Sequence, residues 1–324
     1  MKKILLTGAG GFIGSHLAEL LVKTGLNVKA FVRYNSKNDW GWLEHSECKN
    51  DIEIITGDIR DKDSVFAAMH GVDTVFHLAA LIGIPYSYVS PLAYLKTNVE
   101  GTYNILQSAK VLGVGNVLVT STSETYGTAQ YIPIDENHPL VGQSPYAASK
   151  IAADQFALSY FRSFNLPVKI VRPFNTYGPR QSARAFIPTV ISQVISGINE
   201  VKLGNLSPTR DLTYVKDTAK GFIEIAKSDL TIGEVTNIGM NEEISMGNLI
   251  KLISEVIGTK INVISDQQRV RPDKSEVERL YCDNSKIIKN TNWTPEYNLE
   301  SGIKGTVSWI KENMNLYKPD IYNV

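Results

Sequence analysis

Hydrophobic residues in the first half of the chain fall into short unbroken runs, and between the runs they recur every three to four positions. The runs at 3–7, 28–32, 52–56, 74–78, 116–120 and 168–171 are nearly continuous. That pattern fits strands covered on both faces, not strands with one wet face. The stretches at 14–24, 61–69, 99–112 and 145–164 have helical spacing. Strand and helix in strict alternation predict an α/β fold built on a doubly wound parallel sheet. The rhythm stops after Arg172-Pro173. Loops such as "NTYGPRQSAR" and "GNLSPTRDLTY" follow, then isolated helical patterns. These predict a second, smaller mixed α/β lobe, with one excursion returning to the sheet near 233–238. The expected division is 1–173, rejoined by 212–239, against 174–211 with 240–324. Residues from about 316 read as a loose tail.

A chain of 324 residues suits two unequal lobes. Its 33 basic and 33 acidic side chains cancel, which argues against a nucleic-acid or polyanion binder. No apolar stretch reaches membrane-spanning length. The start "MKKILLTGAGGFIG" looks superficially like a signal peptide, but glycines interrupt the run after "ILL". Cys48 and Cys282 lie far apart without a CxxC spacing, so neither a metal site nor a disulfide is expected. A cytoplasmic location follows.

The glycines carry chemistry. "TGAGGFIG" sits between the first strand and the first helix, with Gly8, Gly11 and Gly14 spaced G-x-x-G-x-x-G. The strict dinucleotide fingerprint asks for glycine at position 13, where Ile13 stands, yet the physics is the same. Glycines let the backbone approach a pyrophosphate, and the helix N-terminus favours its charge. The sheet is therefore of the Rossmann type. An NAD site usually ends the second strand with a carboxylate for the ribose 2′-hydroxyl. Here Arg33 stands there, and a guanidinium grips a 2′-phosphate. NADP is expected; NAD stays open, because Arg33 stacked on the adenine suits both. Asp58, in "GDIRD", is a candidate adenine contact or a helix cap.

"SPYAASK" predicts a helix capped by Ser144, with Pro145 first and Tyr146 just inside. Lys150 lies four residues on, on the same face. A cation beside a phenol lowers its pKa from about 10, which would make Tyr146 an acid/base near neutrality. Upstream, "TSTSETYG" at 120–127 ends an apolar run with hydroxyls and one carboxylate, Glu124.

Together these motifs resemble the extended short-chain dehydrogenase/reductases, along nearly the whole chain. "GDIRD", "HLAA", "NVEGTYNILQSA", "RPFNTYGPRQ" and "RDLTYVKD" also have counterparts there. The resemblance implies that Thr122 and Tyr146 bind a sugar 4-hydroxyl and that Lys150 holds the nicotinamide ribose. It implies that Phe12, Ile13, Ile59 and Leu78 line the cofactor with the glycines. It also implies a nucleotide diphosphate sugar in the second lobe, with Asn175, Arg184, Arg210 and Arg271 as candidate contacts and Tyr86 and Tyr88 close to the sugar. His77 is read as packing beside the cofactor. Trp40 and Trp42 are read as an adenine cover, a lid or a plain surface loop. Homodimerisation through the helices near 98–112 and 146–164 is implied too.

The superfamily holds epimerases, decarboxylases and 4,6-dehydratases, all of which begin by oxidising C4. The ketone acidifies the C5 proton, and a carboxylate there permits loss of the C6 hydroxyl as water. An epimerase needs no such base. Many hexose dehydratases carry Thr-Asp-Glu; here Thr122-Ser123-Glu124 lacks the middle acid. Glu124 is then expected to take the C5 proton and deliver it to the C6 oxygen. UDP-glucuronate decarboxylases share "STSE" but lack an acid after the later arginine, and this chain has Arg210-Asp211. "RYNSKNDWGWLE", "SARAFIPT" and "RPDKSEVERL" look most like the N-acetylglucosamine 4,6-dehydratases of legionaminic acid pathways. That implies UDP- or GDP-N-acetylglucosamine as substrate, with retention at C5. A decarboxylase or 4-epimerase is the alternative. A non-catalytic redox sensor is a different class, but such proteins usually lose the tyrosine or the lysine, and both are present.

Overall fold

The computed structural model describes residues 1–198, 200–266, 269 and 272–319. Strands β1 (Lys3–Thr7), β2 (Asn27–Arg33), β3 (Ile52–Gly57), β4 (Thr74–His77), β5 (Asn116–Thr120) and β6 (Val168–Pro173) form where the apolar runs lie. Four short strands follow: β7 (Asn175–Tyr177), β8 (Glu200–Leu203), β9 (Thr209–Arg210) and β10 (Leu212–Tyr214). The chain continues through β11 (Val235–Ile238), β12 (Ile244–Ser245) and β13 (Asn262–Ser265). Seven strands make one parallel sheet in the order β11-β6-β5-β4-β1-β2-β3. This is the doubly wound Rossmann order, and its direction reverses between β1 and β4. In such sheets ligands bind outside the carboxyl ends of the strands at that reversal.

Successive strand residues point to opposite faces, and both faces are dry. Ile4 and Leu6 pack with Leu17 and Leu21 of the helix Phe12–Lys23 and with Phe222 of the helix Val215–Lys227. Leu5, between them, packs on the other face with Ile105, Leu106 and Ala157 from the helices Gly101–Leu112 and Pro145–Phe164. Period-two alternation into two helical layers explains why the strands read as unbroken apolar runs.

A separate core fills the second lobe, where Val190 and Ile191 meet Leu249, Ile253, Ile303 and Ile310. Its strands form two-stranded ladders, β10 with β7, β12 with β9 and β13 with β8. The end of the described chain is not a loose tail. Tyr317 is buried, its ring lies edge-on to Trp309, and its hydroxyl donates to the Gln181 carbonyl at 3.4 Å. An isolated aromatic gave no periodic signal, and the contact that orders it is distant in sequence.

One helix also departs from expectation. A π-turn at Leu95–Glu100 precedes the regular helix Gly101–Leu112. It presents Asn98, whose amide accepts from Leu81 N at 2.9 Å and donates to Leu81 O at 3.0 Å and Ser149 Oγ at 2.9 Å. Behind it, Thr102 Oγ1 donates to the Asn98 carbonyl at 2.6 Å and so accepts from His77 Nε2. That assigns His77 its tautomer, leaving Nδ1 to accept from Thr7, whose oxygen accepts from Ala79 N. His77 is structural, and burial holds its pKa down at about 3.

A neutral buried histidine binds no proton in the fold but binds one when unfolded below pH 6.5. Its folded pKa is depressed, so the stability it permits is present above pH 6.5 and lost as pH falls towards 3. The stability of the wild type relative to His77→Gln should therefore fall by about 1.4 kcal/mol per pH unit below 6.5. Urea titrations of both proteins between pH 7 and pH 4.5 measure this; parallel profiles would contradict it.

Candidate active site

The glycine loop is closed upon itself at the end of β1. Gly8 is left-handed (φ +71°), and its added Cβ would stand 2.8 Å from Ala79 N, at the mouth of β4. A Cβ on Gly14 would collide with the Gly8 carbonyl. Gly11 caps the helix Phe12–Lys23 without a side-chain bond, so Phe12 and Ile13 begin a helix whose first amides face outward. Leu78 and Ala79 border the loop through Leu78 N to Thr7 O, at 3.2 Å. Ile59 is buried below, against Gly101. This cradle, which side chains would fill, fits a dinucleotide pyrophosphate.

Arg33 is exposed at the carboxyl end of β2, beside that cradle. Asp58 neither caps a helix nor stands free. It forms a paired contact with Arg60, whose guanidinium holds its carboxyl below the usual range. Asp61 is the helix cap, accepting from Asp63 N and Ser64 N.

The catalytic candidates meet one strand further along, beyond β5. Ser144 caps the helix Pro145–Phe164 by accepting from Ala147 N at 3.1 Å, with Pro145 in its first turn. This orients Tyr146 and Lys150, both buried. Thr122 hydrogen-bonds Tyr146 and also accepts from Glu124 N at 3.3 Å. Ser123 and Glu124 lie in the short turn Ser123–Tyr126. Glu124 as a whole residue is 9% exposed; its carboxylate is close enough to Tyr146 to raise its pKa and has no hydrogen bond or ion pair among the described residues. Lys150 likewise donates no hydrogen bond among them.

The electrostatics correct one expectation. Burial pushes the Tyr146 phenol up, against the Thr122 hydrogen bond that lowers it, and the charges of Glu124 and Asp154 push it further. Burial pushes Lys150 down. The spacing of Tyr146 and Lys150 showed which charges are neighbours, but not how dry the site is, and dryness dominates.

Beneath the loop lies a polar network. Arg172, on β6, donates to Asp154 Oδ2 at 2.7 Å, and Ser121 Oγ donates to the same oxygen at 2.5 Å. The guanidinium carbon stands 4.6 Å from the Tyr126 ring centroid, and Tyr126 donates to Asn237 on β11 at 2.8 Å. Asp154 is one turn beyond Lys150, so one helix presents both. Sequence reading passed over Asp154 and Asn98, though the i,i+4 spacing from Lys150 and the motif "NVEGTY" contained the signals.

One wall beside Tyr146 is aromatic. Tyr94 packs edge-on against Tyr146, with centroids 6.2 Å apart, and donates to Gly83 O at 2.5 Å. Tyr86 packs on Tyr94. Arg184 is brought to this wall, since a Cβ on Gly83 would lie 4.0 Å from its guanidinium. Tyr88 instead bonds Ser275 Oγ at 2.5 Å. Asn175 is on β7 with a buried, unpartnered Oδ1. Arg210 is buried and pairs with Glu276 at 3.4 Å. Arg271 lies outside the described residues. No metal-ligating cluster occurs among the described residues, and no helix among them is long and apolar enough to cross a membrane.

A family model described as GDP-mannose 4,6 dehydratase matches residues 5–306. The chain belongs to this family. It is 32% identical to a putative UDP-glucose 4-epimerase of Methanocaldococcus jannaschii over 96% of this chain and 99% of that one. It is 33% identical to a UDP-N-acetyl-alpha-D-glucosaminuronate decarboxylase of Bacillus cytotoxicus over 97% and 99%. The solved dTDP-glucose 4,6-dehydratase DesIV of Streptomyces venezuelae, with NAD and TYD bound, superposes with a TM-score of 0.89 at 28% identity, covering 98% and 99%. Enzymes similar to this GDP-mannose 4,6-dehydratase family member thus catalyse three kinds of nucleotide-sugar reaction.

In this member of the GDP-mannose 4,6-dehydratase family, the Arg172–Asp154 pair supports the loop. Asp154→Ala leaves a buried guanidinium unpaired and should cost about 3–5 kcal/mol in urea denaturation. The double change Asp154→Leu with Arg172→Met should cost less than either single change, because no charge remains buried. A double variant worse than both singles would contradict this.

Proposed function

We propose that the protein is a nucleotide-sugar 4,6-dehydratase that converts UDP- or GDP-N-acetylglucosamine to its 4-keto-6-deoxy derivative. The observation that carries this is Glu124, a nearly buried carboxylate without a partner among the described residues, set against Tyr146. An enzyme that only oxidises and re-reduces C4 has no use for it.

The residues divide the work. Thr122 and Tyr146 hold the C4 hydroxyl, and Tyr146 receives its proton. When bound, a nicotinamide dinucleotide would supply the hydride acceptor for C4 and the hydride donor for C6, and Lys150 would hold its ribose. Glu124 removes the C5 proton, acidified by the C4 ketone, and donates it to the C6 oxygen as water leaves. Ser123 cannot replace the missing second acid, because an unperturbed hydroxyl is a poor proton donor. After water leaves, Glu124 takes up a second proton from solvent, balanced by the one that Tyr146 gained from the C4 hydroxyl and gives back to solvent, and delivers it to C5; one carboxyl working on one face accounts for retention there. Asn175, Arg210 and Arg271 bind the diphosphate, with Tyr86 and Arg184 on the sugar side.

The cofactor reading rests on two opposed facts. Arg33 in place of a carboxylate argues for NADP, and the NAD bound to the Streptomyces venezuelae enzyme argues for NAD. Equilibrium binding of both decides between them. The helices Gly101–Leu112 and Pro145–Phe164 expose Tyr103, Val111, Phe156 and Phe164, the apolar face expected of a homodimer. The free cysteines Cys48 and Cys282 suit a reducing cytoplasm.

The Bacillus cytotoxicus relative favours a second reading, a decarboxylase in which Arg184 receives a uronate carboxylate. Incubation with UDP- and GDP-N-acetylglucosamine and with UDP-glucuronate separates the two. We expect a 4-keto-6-deoxy product without added reductant; carbon dioxide or a 4-epimer alone would refute the proposal. Glu124→Gln should lower product formation by about 10²–10⁴-fold, the usual weight of a general base, while reduced cofactor still forms, as read by its absorbance. Unchanged turnover would remove Glu124 from the mechanism.

A further inference from the structure

The tryptophans of "NDWGW" have their backbone built into the glycine loop. Trp42 N donates to the Gly10 carbonyl at 3.0 Å. Neither Gly10 nor Gly41 has room for a side chain. A Cβ on Gly10 would collide with the Trp40 carbonyl, and one on Gly41 with the Gly10 carbonyl. Gly41 is also left-handed, at φ +68°. The connection from β2 therefore crosses back over the phosphate loop with backbone against backbone.

This crossing segment is braced along its length. Asn35 accepts from Lys37 N and Asp39 N and donates to Asp39 O at 2.6 Å. Asp39 accepts from Gly41 N at 2.6 Å, and Glu44 accepts from Trp40 N at 3.1 Å. Trp40 and Leu43 are anchored in the core beside the sheet. The segment begins at Arg33, on the adenosine side of the site, and reaches Gly10 on the pyrophosphate side. It thus borders the dinucleotide cradle from end to end.

Its far side meets the second lobe. The Trp42 ring lies edge-on to Trp309, with centroids 5.4 Å apart and planes at 75°. Trp309 belongs to the helix Leu299–Glu312, whose inner face is part of the second core. Lifting the segment off the glycine loop requires breaking this contact.

We propose that residues 34–44 form a strap, latched by Trp42 onto Trp309, that keeps the nicotinamide dinucleotide on the protein between turnovers. The inference rests on the cofactor reading of the glycine loop. It suits a reaction in which the hydride taken from the sugar is given back to it, so that the cofactor need never leave. It also makes the second lobe, which is proposed to bind the sugar nucleotide, part of cofactor retention.

The test is release of NADH, and separately NADPH, from loaded full-length protein, followed by nicotinamide fluorescence after mixing with excess oxidised cofactor. Trp309→Leu keeps apolar volume but loses the edge-on contact, and should speed release roughly threefold to tenfold. Trp309→Phe should restore most of the retention. Gly41→Ala acts at the other end, forcing a side chain into a left-handed position against Gly10, and should speed release at least about tenfold. If the strap is one device, the two effects will not multiply in the double variant. Unchanged release in both variants, or fully multiplicative effects, overturns the latch while leaving the dehydratase reading intact. If Trp309→Leu fails to fold, Gly41→Ala alone decides. A wild type that holds no dinucleotide overturns the latch and the cofactor site together. Product assays with sugar nucleotides test the dehydratase reading independently.

Discussion

The turn that carries Thr122, Ser123 and Glu124 depends on a buried ion pair. Arg172 and Asp154 are both almost wholly out of water, one on β6 and the other on the helix that carries Tyr146 and Lys150. Stripping water from two charges costs about as much as their attraction returns. The benefit is geometric. The shared Asp154 oxygen also holds Ser121, and the Arg172 plane supports Tyr126, so both ends of the turn bearing Thr122, Ser123 and Glu124 are fixed. A loop at the mouth of a parallel sheet has no ladder of its own, and this network takes that place.

Against that rigid support, several groups facing the site are left with open hydrogen-bonding capacity. Glu124 and Lys150 have no hydrogen-bond partners among the described residues, and the Asn175 Oδ1 is buried without one. Burial without a partner is unfavourable in a protein at rest. Of the three only the Asn175 Oδ1 is fully buried; the polar atoms of Glu124 and Lys150 keep some contact with solvent. Arg210 differs, since Glu276 already pairs with it. In the proposed function, a diphosphate arriving there would compete with a carboxylate.

Much of this was legible in the sequence because the signals were local. Strands dry on both faces read as apolar runs, and Gly8, Gly11 and Gly14 marked backbone that must come close to something. Ser144, Pro145, Tyr146 and Lys150 lie within a single helical start. What stayed hidden was set by distance or by environment. Nothing near Trp42 in the chain announces Trp309, nothing near Arg210 announces Glu276, and nothing beyond residue 316 announces that Tyr317 is buried. The Tyr146 phenol shows the environmental case. Its charged neighbours were readable, but the water excluded around it was not, and that decided the direction of its shift. The π-turn was illegible for a third reason, because one extra residue in a helix barely disturbs its apolar period.

That extra residue has consequences for how the chain can vary. Each helical residue turns the backbone by about 100°. Deleting one position within 95–100 would restore regular helical bonding, which is the better local arrangement. It would also swing Tyr94, with its bond to Gly83, away from the face set by Asn98 and Ser149. The length of this segment is therefore constrained by geometry separately from its composition. An insertion or deletion here would put the Tyr94 wall out of phase with the helix Pro145–Phe164.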